Sequence, residues 1–131
     1  MTNERYTGNF GPMLIRGRYN EAGEGVTVNI YADGGEILER EMLRIDLLKK
    51  SPQGPHYHPN PYKRERAVDT ARTVDGVTTP EGLEVHLLEY VGLRELAVQA
   101  DEREVAAYLT PANQAEVNRF ISAGIALLSP K

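Results

Sequence analysis

The sequence contains no cysteine. That excludes disulfides, thiol nucleophiles, iron–sulfur clusters and every cysteine-based zinc site, and it fits a reducing compartment. Long apolar runs are also missing. The longest aliphatic stretch, Gly124 to Leu128, is far short of the ~20 residues needed to cross a bilayer. The N-terminus, Met1 to Tyr6, is polar and has no apolar stretch behind it, so no signal peptide is expected and the cytoplasm is the expected location. No membrane partner is expected. The formal net charge of −4 argues against a general nucleic-acid binder. No Ser-His-Asp order, P-loop, dinucleotide fingerprint or His-Glu-x-x-His motif occurs, and Gly23-Glu24-Gly25 has no helical pattern after it, so it reads as turn chemistry.

What is present suits one domain spanning 1–131, of a size that buries roughly two thirds of its unfolded surface in a single core. Charge is unevenly spread. Residues 1–48 carry five Lys/Arg against eight Asp/Glu, and residues 73–131 carry four against nine. Residues 49–72 reverse the balance, six against two, and hold two of the three histidines. The middle is a basic island in an acidic chain.

Residues 1–11 read as a flexible N-terminal arm. Met13, Ile15, Gly17 and Tyr19 alternate with Leu14, Arg16 and Arg18, which is strand periodicity. Val26, Val28, Ile30 and Ala32 alternate with Thr27, Asn29 and Tyr31 and define the clearest strand. Asp33-Gly34-Gly35 follows as a hairpin signal. The segment Glu36 to Lys50 suits either a helix, by residue type, or a strand, by the alternation of Leu43, Ile45 and Leu47. The turn before it favours a strand, and a three-stranded antiparallel meander results. Four prolines between Ser51 and Tyr62 exclude helix there and favour an extended loop.

The C-terminal half reads as helical. Thr79 and Pro80 suit an N-cap and first helical position, Leu83, Leu87 and Val91 share a face, and Gly92 suits a stop. Asp101-Glu102-Arg103-Glu104 has the form of a capping box. Thr110-Pro111 opens the last helix, with Val117, Phe120, Ile121, Gly124, Ile125 and Leu128 on one stripe. Strands followed by helices imply an α+β fold, the helices packed on one face of a small sheet. Gly124 permits close approach of another backbone, and the open sheet edges together with that stripe make a homodimer a natural expectation.

Chemistry concentrates in Pro55-His56-Tyr57-His58-Pro59-Asn60-Pro61-Tyr62. In an extended backbone His56 and His58 point the same way and could chelate a divalent transition metal such as zinc, iron, copper or nickel. Third-ligand candidates are Glu65, Asp69 and His86. A second reading takes His56, Tyr57, His58, Tyr62, Lys63, Arg64 and Arg66 as a surface that binds a small anionic molecule or a partner. The chain would then be a binding or accessory module, and with a metal it would be a metal-dependent enzyme. A third reading makes the prolines and aromatics simple docking groups that hold the loop on the sheet. Arg16, Arg18, Arg44 and Asp46 could line a polar sheet face toward a ligand, although alternating charge on strands usually marks a solvated face.

The His-x-His pair with a later glutamate, His56 to Glu65, resembles the metal-binding element of the cupins. Membership would require a closed β-sandwich and a second, glycine- and histidine-containing motif downstream. This chain instead offers few strands, its C-terminal half reads as helical, and the only later histidine, His86, lacks that surrounding pattern. The Pro-His-Tyr-His-Pro loop after Arg44-Ile45-Asp46 also resembles that of a group of small bacterial domains. That likeness implies no particular activity and no catalytic residues.

Overall fold

The computed structural model describes residues 5–32, 41–59 and 71–129. These form a five-stranded antiparallel sheet in sequential order, β1 (Arg5–Phe10), β2 (Met13–Asn20), β3 (Gly25–Ala32), β4 (Glu41–Leu48) and β5 (His56–Pro59). Helices follow: α1 (Pro80–Val85), continued by a π-helical segment His86–Val91, then α2 (Leu93–Gln99), α3 (Arg103–Tyr108) and α4 (Pro111–Leu128). The fold is α+β with C-terminal helices, as expected, but the meander has five strands rather than three. Among the described residues no helix is long and apolar enough to cross a membrane.

The two additional strands lie at the two edges. Residues 5–10, expected to be part of a flexible arm, pair with β2 from Arg5↔Arg18 to Phe10↔Met13. Aromatic packing explains the difference. Tyr6 and Phe10 both meet the Phe120 ring edge-on, at centroid separations of 5.1 and 5.0 Å. Such contacts add stabilisation beyond the area they bury. At the other edge, the proline-rich loop contains β5, paired from Leu43↔Pro59 to Asp46↔His56. Glu41–Leu48 is strand and not helix, because its alternation fits a sheet with two contrasting faces. The Asp33-Gly34-Gly35 turn signal lies outside the described residues.

One face of the sheet carries Met13, Ile15, Val26, Val28, Ile30, Leu43, Ile45 and Leu47, all buried beneath the helices with Leu83, Leu87, Leu93, Val117 and Ile121. Burying such side chains supplies most of the drive to fold, about 25 cal/mol per Å2 of apolar surface. Two helix starts are capped as expected: Thr79 Oγ1 accepts from the Gly82 N–H at 3.1 Å, and Thr110 Oγ1 from the Asn113 N–H at 3.3 Å. The capping box does not form. Glu102 takes the cap position without a side-chain cap bond, and Asp101 adopts φ +59°. Helix α2 was not singled out in the sequence, although Leu93, Leu96, Ala97 and Ala100 keep a helical spacing and are buried.

The apolar stripe of α4 is spent within the molecule: Val117, Ile121, Gly124 and Leu128 are buried, and Phe120 and Ile125 pack against the core. Gly124 does admit a close neighbour, and that neighbour is the Tyr6 ring. A Cβ at Gly124 would stand 2.1 Å from it, and one at Gly17 1.9 Å. The two glycines form a slot for a side chain of the same chain.

Candidate metal centre

The second face of the sheet is polar, yet much of it is buried. The ladders place Thr27 opposite Asp46 and Asn29 opposite Arg44, and Asp46 opposite His56 and Arg44 opposite His58. Alternation along each strand turns all of these away from the helices. Thr27, Asn29, Glu41, Asp46, His56 and His58 are each less than a tenth exposed. Buried polar groups are tolerated when they bond to one another, and here they do. Asn29 Nδ2 donates to Glu41 Oε2, and Arg44 donates to both Glu41 oxygens, at 3.1 Å from Nε and 2.8 Å from Nη2.

At the β5 end the bonds converge on one carboxylate. Asp46 Oδ2 lies 3.2 Å from His56 Nε2 and 3.1 Å from His58 Nε2. Its other oxygen, Oδ1, accepts from the Thr27 hydroxyl at 2.8 Å. The two imidazoles meet nearly perpendicular, with centroids 4.9 Å apart. Ligand atoms of Asp46, His56 and His58 all lie within 4.8 Å of one another, so this buried group could hold a metal ion. Two ligands bonded at ~2.1 Å on a tetrahedral ion stand about 3.4 Å apart. The oxygen–nitrogen spacings are therefore within a few tenths of an ångström of those a bound ion would impose.

The tautomer of His56 follows from its second nitrogen. Nδ1 lies 2.8 Å from the Gly54 carbonyl oxygen, which can only accept, so Nδ1 carries the hydrogen. Nε2 then faces Asp46 either with a second proton, as imidazolium, or with a bare lone pair. A lone pair aimed at a carboxylate is repulsive unless a cation lies between them. Ring N–H to backbone carbonyl is also how metal-ligating histidines are usually oriented. Gly54 is held by a turn in which its N–H bonds Ser51 O at 2.9 Å, and it sits at φ +70°, a conformation that suits glycine.

Electrostatics follow the same geometry. Burial alone would raise the Asp46 pKa, but the bonds from His56, His58 and Thr27 outweigh burial and hold its carboxyl well below the ordinary range. The Asp46 bond raises His56 above a free imidazole, against the opposing pull of burial and with help from the Gly54 carbonyl. Each group favours the charged form of the other.

The loop motif now has a physical reading. The Tyr57 N–H and carbonyl bond Arg72, at 3.0 and 2.8 Å, on the side of β5 away from β4. Positions 55, 57 and 59 share that outward direction. Prolines, which lack an N–H, stand where no donor to β4 is needed, while His56 and His58 present theirs to β4 and their rings to the polar face.

Of the residues singled out in the sequence, His56 and His58 come together. Tyr57 points to the opposite face and packs against the core. Tyr62, Lys63, Arg64, Arg66, Glu65 and Asp69 lie outside the described residues. His86 belongs to the π-helical segment and stacks on Tyr90 at 5.3 Å, away from the group. The residue brought against the two histidines is Asp46 instead. Its signal in the sequence was a charge alternating with Leu43, Ile45 and Leu47, but only the register, Asp46↔His56, shows that it meets the histidines. Comparison with protein-family models, with curated proteins and with solved structures found no match for this chain.

Proposed function

We propose that Asp46, His56 and His58 bind a divalent transition metal ion and that the protein is metal-dependent. The observation that carries this reading is the approach of both Nε2 atoms to one oxygen, Asp46 Oδ2, at 3.2 and 3.1 Å, while His56 Nδ1 is committed to a backbone carbonyl. Two histidines and one carboxylate suit zinc or ferrous iron. Three protein ligands leave coordination positions for water or a bound molecule, unlike a closed four-ligand structural site. The protein's own contribution is orientation: Thr27 fixes one carboxylate oxygen, and the Gly54 carbonyl fixes one imidazole.

The competing account is a metal-free hydrogen-bonded triad that simply ties β5 to β4. Elemental analysis of protein purified without an affinity tag separates the two. The metal reading expects close to one zinc or iron per chain, or its uptake on incubation, and loss of that metal in His56→Ala/His58→Ala with the fold retained by circular dichroism. Cobalt(II) loaded in place of the native ion should give visible bands set by the nitrogen and oxygen donors. Protein that stays metal-free after incubation with zinc, iron, nickel and copper would leave the structural triad as the correct account.

A further inference from the structure

The polar face holds a second feature that shares no residue with the metal ligands. A cavity of about 330 Å3 is lined by Arg16, Gly17, Arg18, Asn29, Tyr31 and Arg44. The register explains the convergence. Arg16 lies opposite Asn29 and Arg18 opposite Thr27 across β2–β3, and Asn29 lies opposite Arg44 across β3–β4. Three guanidinium groups from two strands, one carboxamide and one phenol therefore meet over a single patch of sheet.

Concentrating three cations is unfavourable unless negative charge accompanies them. Arg44 has such a partner in Glu41, at 2.8 Å. Arg16 and Arg18 have no ion-pair partner among the described residues, and among those residues the cavity lining carries an excess of positive charge. The Arg16 and Arg18 forks and the Tyr31 hydroxyl supply donors, while Arg44 Nε and Nη2 and Asn29 Nδ2 already donate to Glu41 and leave only their remaining N–H groups. Burial and Glu41 raise the Tyr31 pKa, so that group stays a neutral hydroxyl able to donate. Planar forks converging with neutral donors match the oxygens of a phosphate or carboxylate group.

We infer that this cavity is an oxyanion-binding site for a small molecule bearing a phosphate or carboxylate group. The volume leaves room for an organic portion beyond the anionic head. Arg44 and Asp46 lie two apart on β4 and share its polar face, which puts their Cα atoms about 7 Å apart. A molecule anchored by the arginines thus lies alongside the Asp46–His56–His58 group. The inference stands on residues other than those ligands and does not need a metal to be bound.

Titration calorimetry on the full chain, with inorganic phosphate and separately with malonate, tests it. One-to-one saturable binding of either is expected, and which binds tighter identifies the head group. Arg16→Gln/Arg18→Gln should weaken that binding about tenfold or more, the size expected from losing charge-assisted hydrogen bonds, with metal content unchanged. Arg16→Lys/Arg18→Lys should recover part of it, since charge returns without the planar fork. Protein treated with a chelator to remove any bound metal should bind the anion within about twofold of the untreated protein. Three results would each overturn the inference: no saturable binding of either anion, equal binding by the Gln double variant while it remains folded, or loss of anion binding on chelation, which would put the anion on the metal.

Discussion

The two faces of this sheet are built from alternate residues of the same strands, yet they are held by different physics. Beneath the helices, Val28, Ile30, Leu43 and Ile45 are buried among other aliphatic groups, and any well-fitting apolar side chain does that work. On the other face, Thr27, Asn29, Asp46, His56 and His58 are almost as inaccessible, but each is acceptable only because a particular partner bonds it. The first face tolerates change in identity and punishes change in volume. The second punishes loss of a single donor or acceptor.

Neighbours on β4 give the sharpest contrast. Ile45→Ala, at a side chain only 2% exposed, should cost about 2–5 kcal/mol in urea unfolding, while folded protein keeps the metal uptake of the unaltered chain on the proposed metal site. Asp46→Asn should cost the metal-free protein about 1.5–3 kcal/mol, the range for a hydrogen bond to a charged group, and should abolish metal uptake by elemental analysis. If Ile45→Ala lost the metal from protein that is still folded, the two faces would not be separable in this way.

Volume sensitivity can be probed on the helix side with Gly124→Ala. Its new methyl would fall 2.1 Å from the Tyr6 ring, and overpacking should cost about 1–3 kcal/mol by thermal or urea unfolding. An unchanged midpoint would mean that Tyr6 moves freely.

Tyr6 also gives a pH signature. Burial, reinforced by Glu84, raises its pKa well above that of a free phenol. The folded state therefore holds the proton longer than the unfolded chain. Stability is complete below the unfolded value of about 10 and falls as pH rises beyond it. Tyr6→Phe should flatten that alkaline decline while losing the weak bond to the Ile121 carbonyl at 3.3 Å. An equally steep decline in the variant would assign it to other groups. The smallest effect is expected at exposed Arg18, where Arg18→Gln should shift stability by no more than about 0.5 kcal/mol even as it weakens anion binding.

Much of the fold was legible because local and global preferences agreed. The alternation in Val26 to Ala32 and the Thr-Pro helix starts at Thr79 and Thr110 are such places. The edges were not legible, for physical reasons. Arg5–Phe10 contains Gly8 and Asn9, which are depleted in strands; the segment becomes a strand through Tyr6, Phe10 and an aromatic partner at Phe120, more than a hundred residues away. Four prolines masked β5, because their effect depends on which direction each backbone donor faces. At the site, the shared face of His56 and His58 followed from period-two geometry. Asp46 as their partner followed only from strand register, which no local pattern carries.

The backbone of β5 has a consequence for how copies of this chain meet in crowded solution. A sheet edge recruits foreign strands through unpaired N–H groups. Along the outer margin of β5 the donor positions are Pro55, Tyr57 and Pro59, of which two have no hydrogen to offer and the third is engaged by Arg72. Among the described residues that margin therefore offers an incoming strand no free backbone N–H. Among the described residues β1 pairs only with β2, so self-association by sheet extension, and aggregation from a partly opened state, should begin at Arg5–Phe10 and not at the histidine strand.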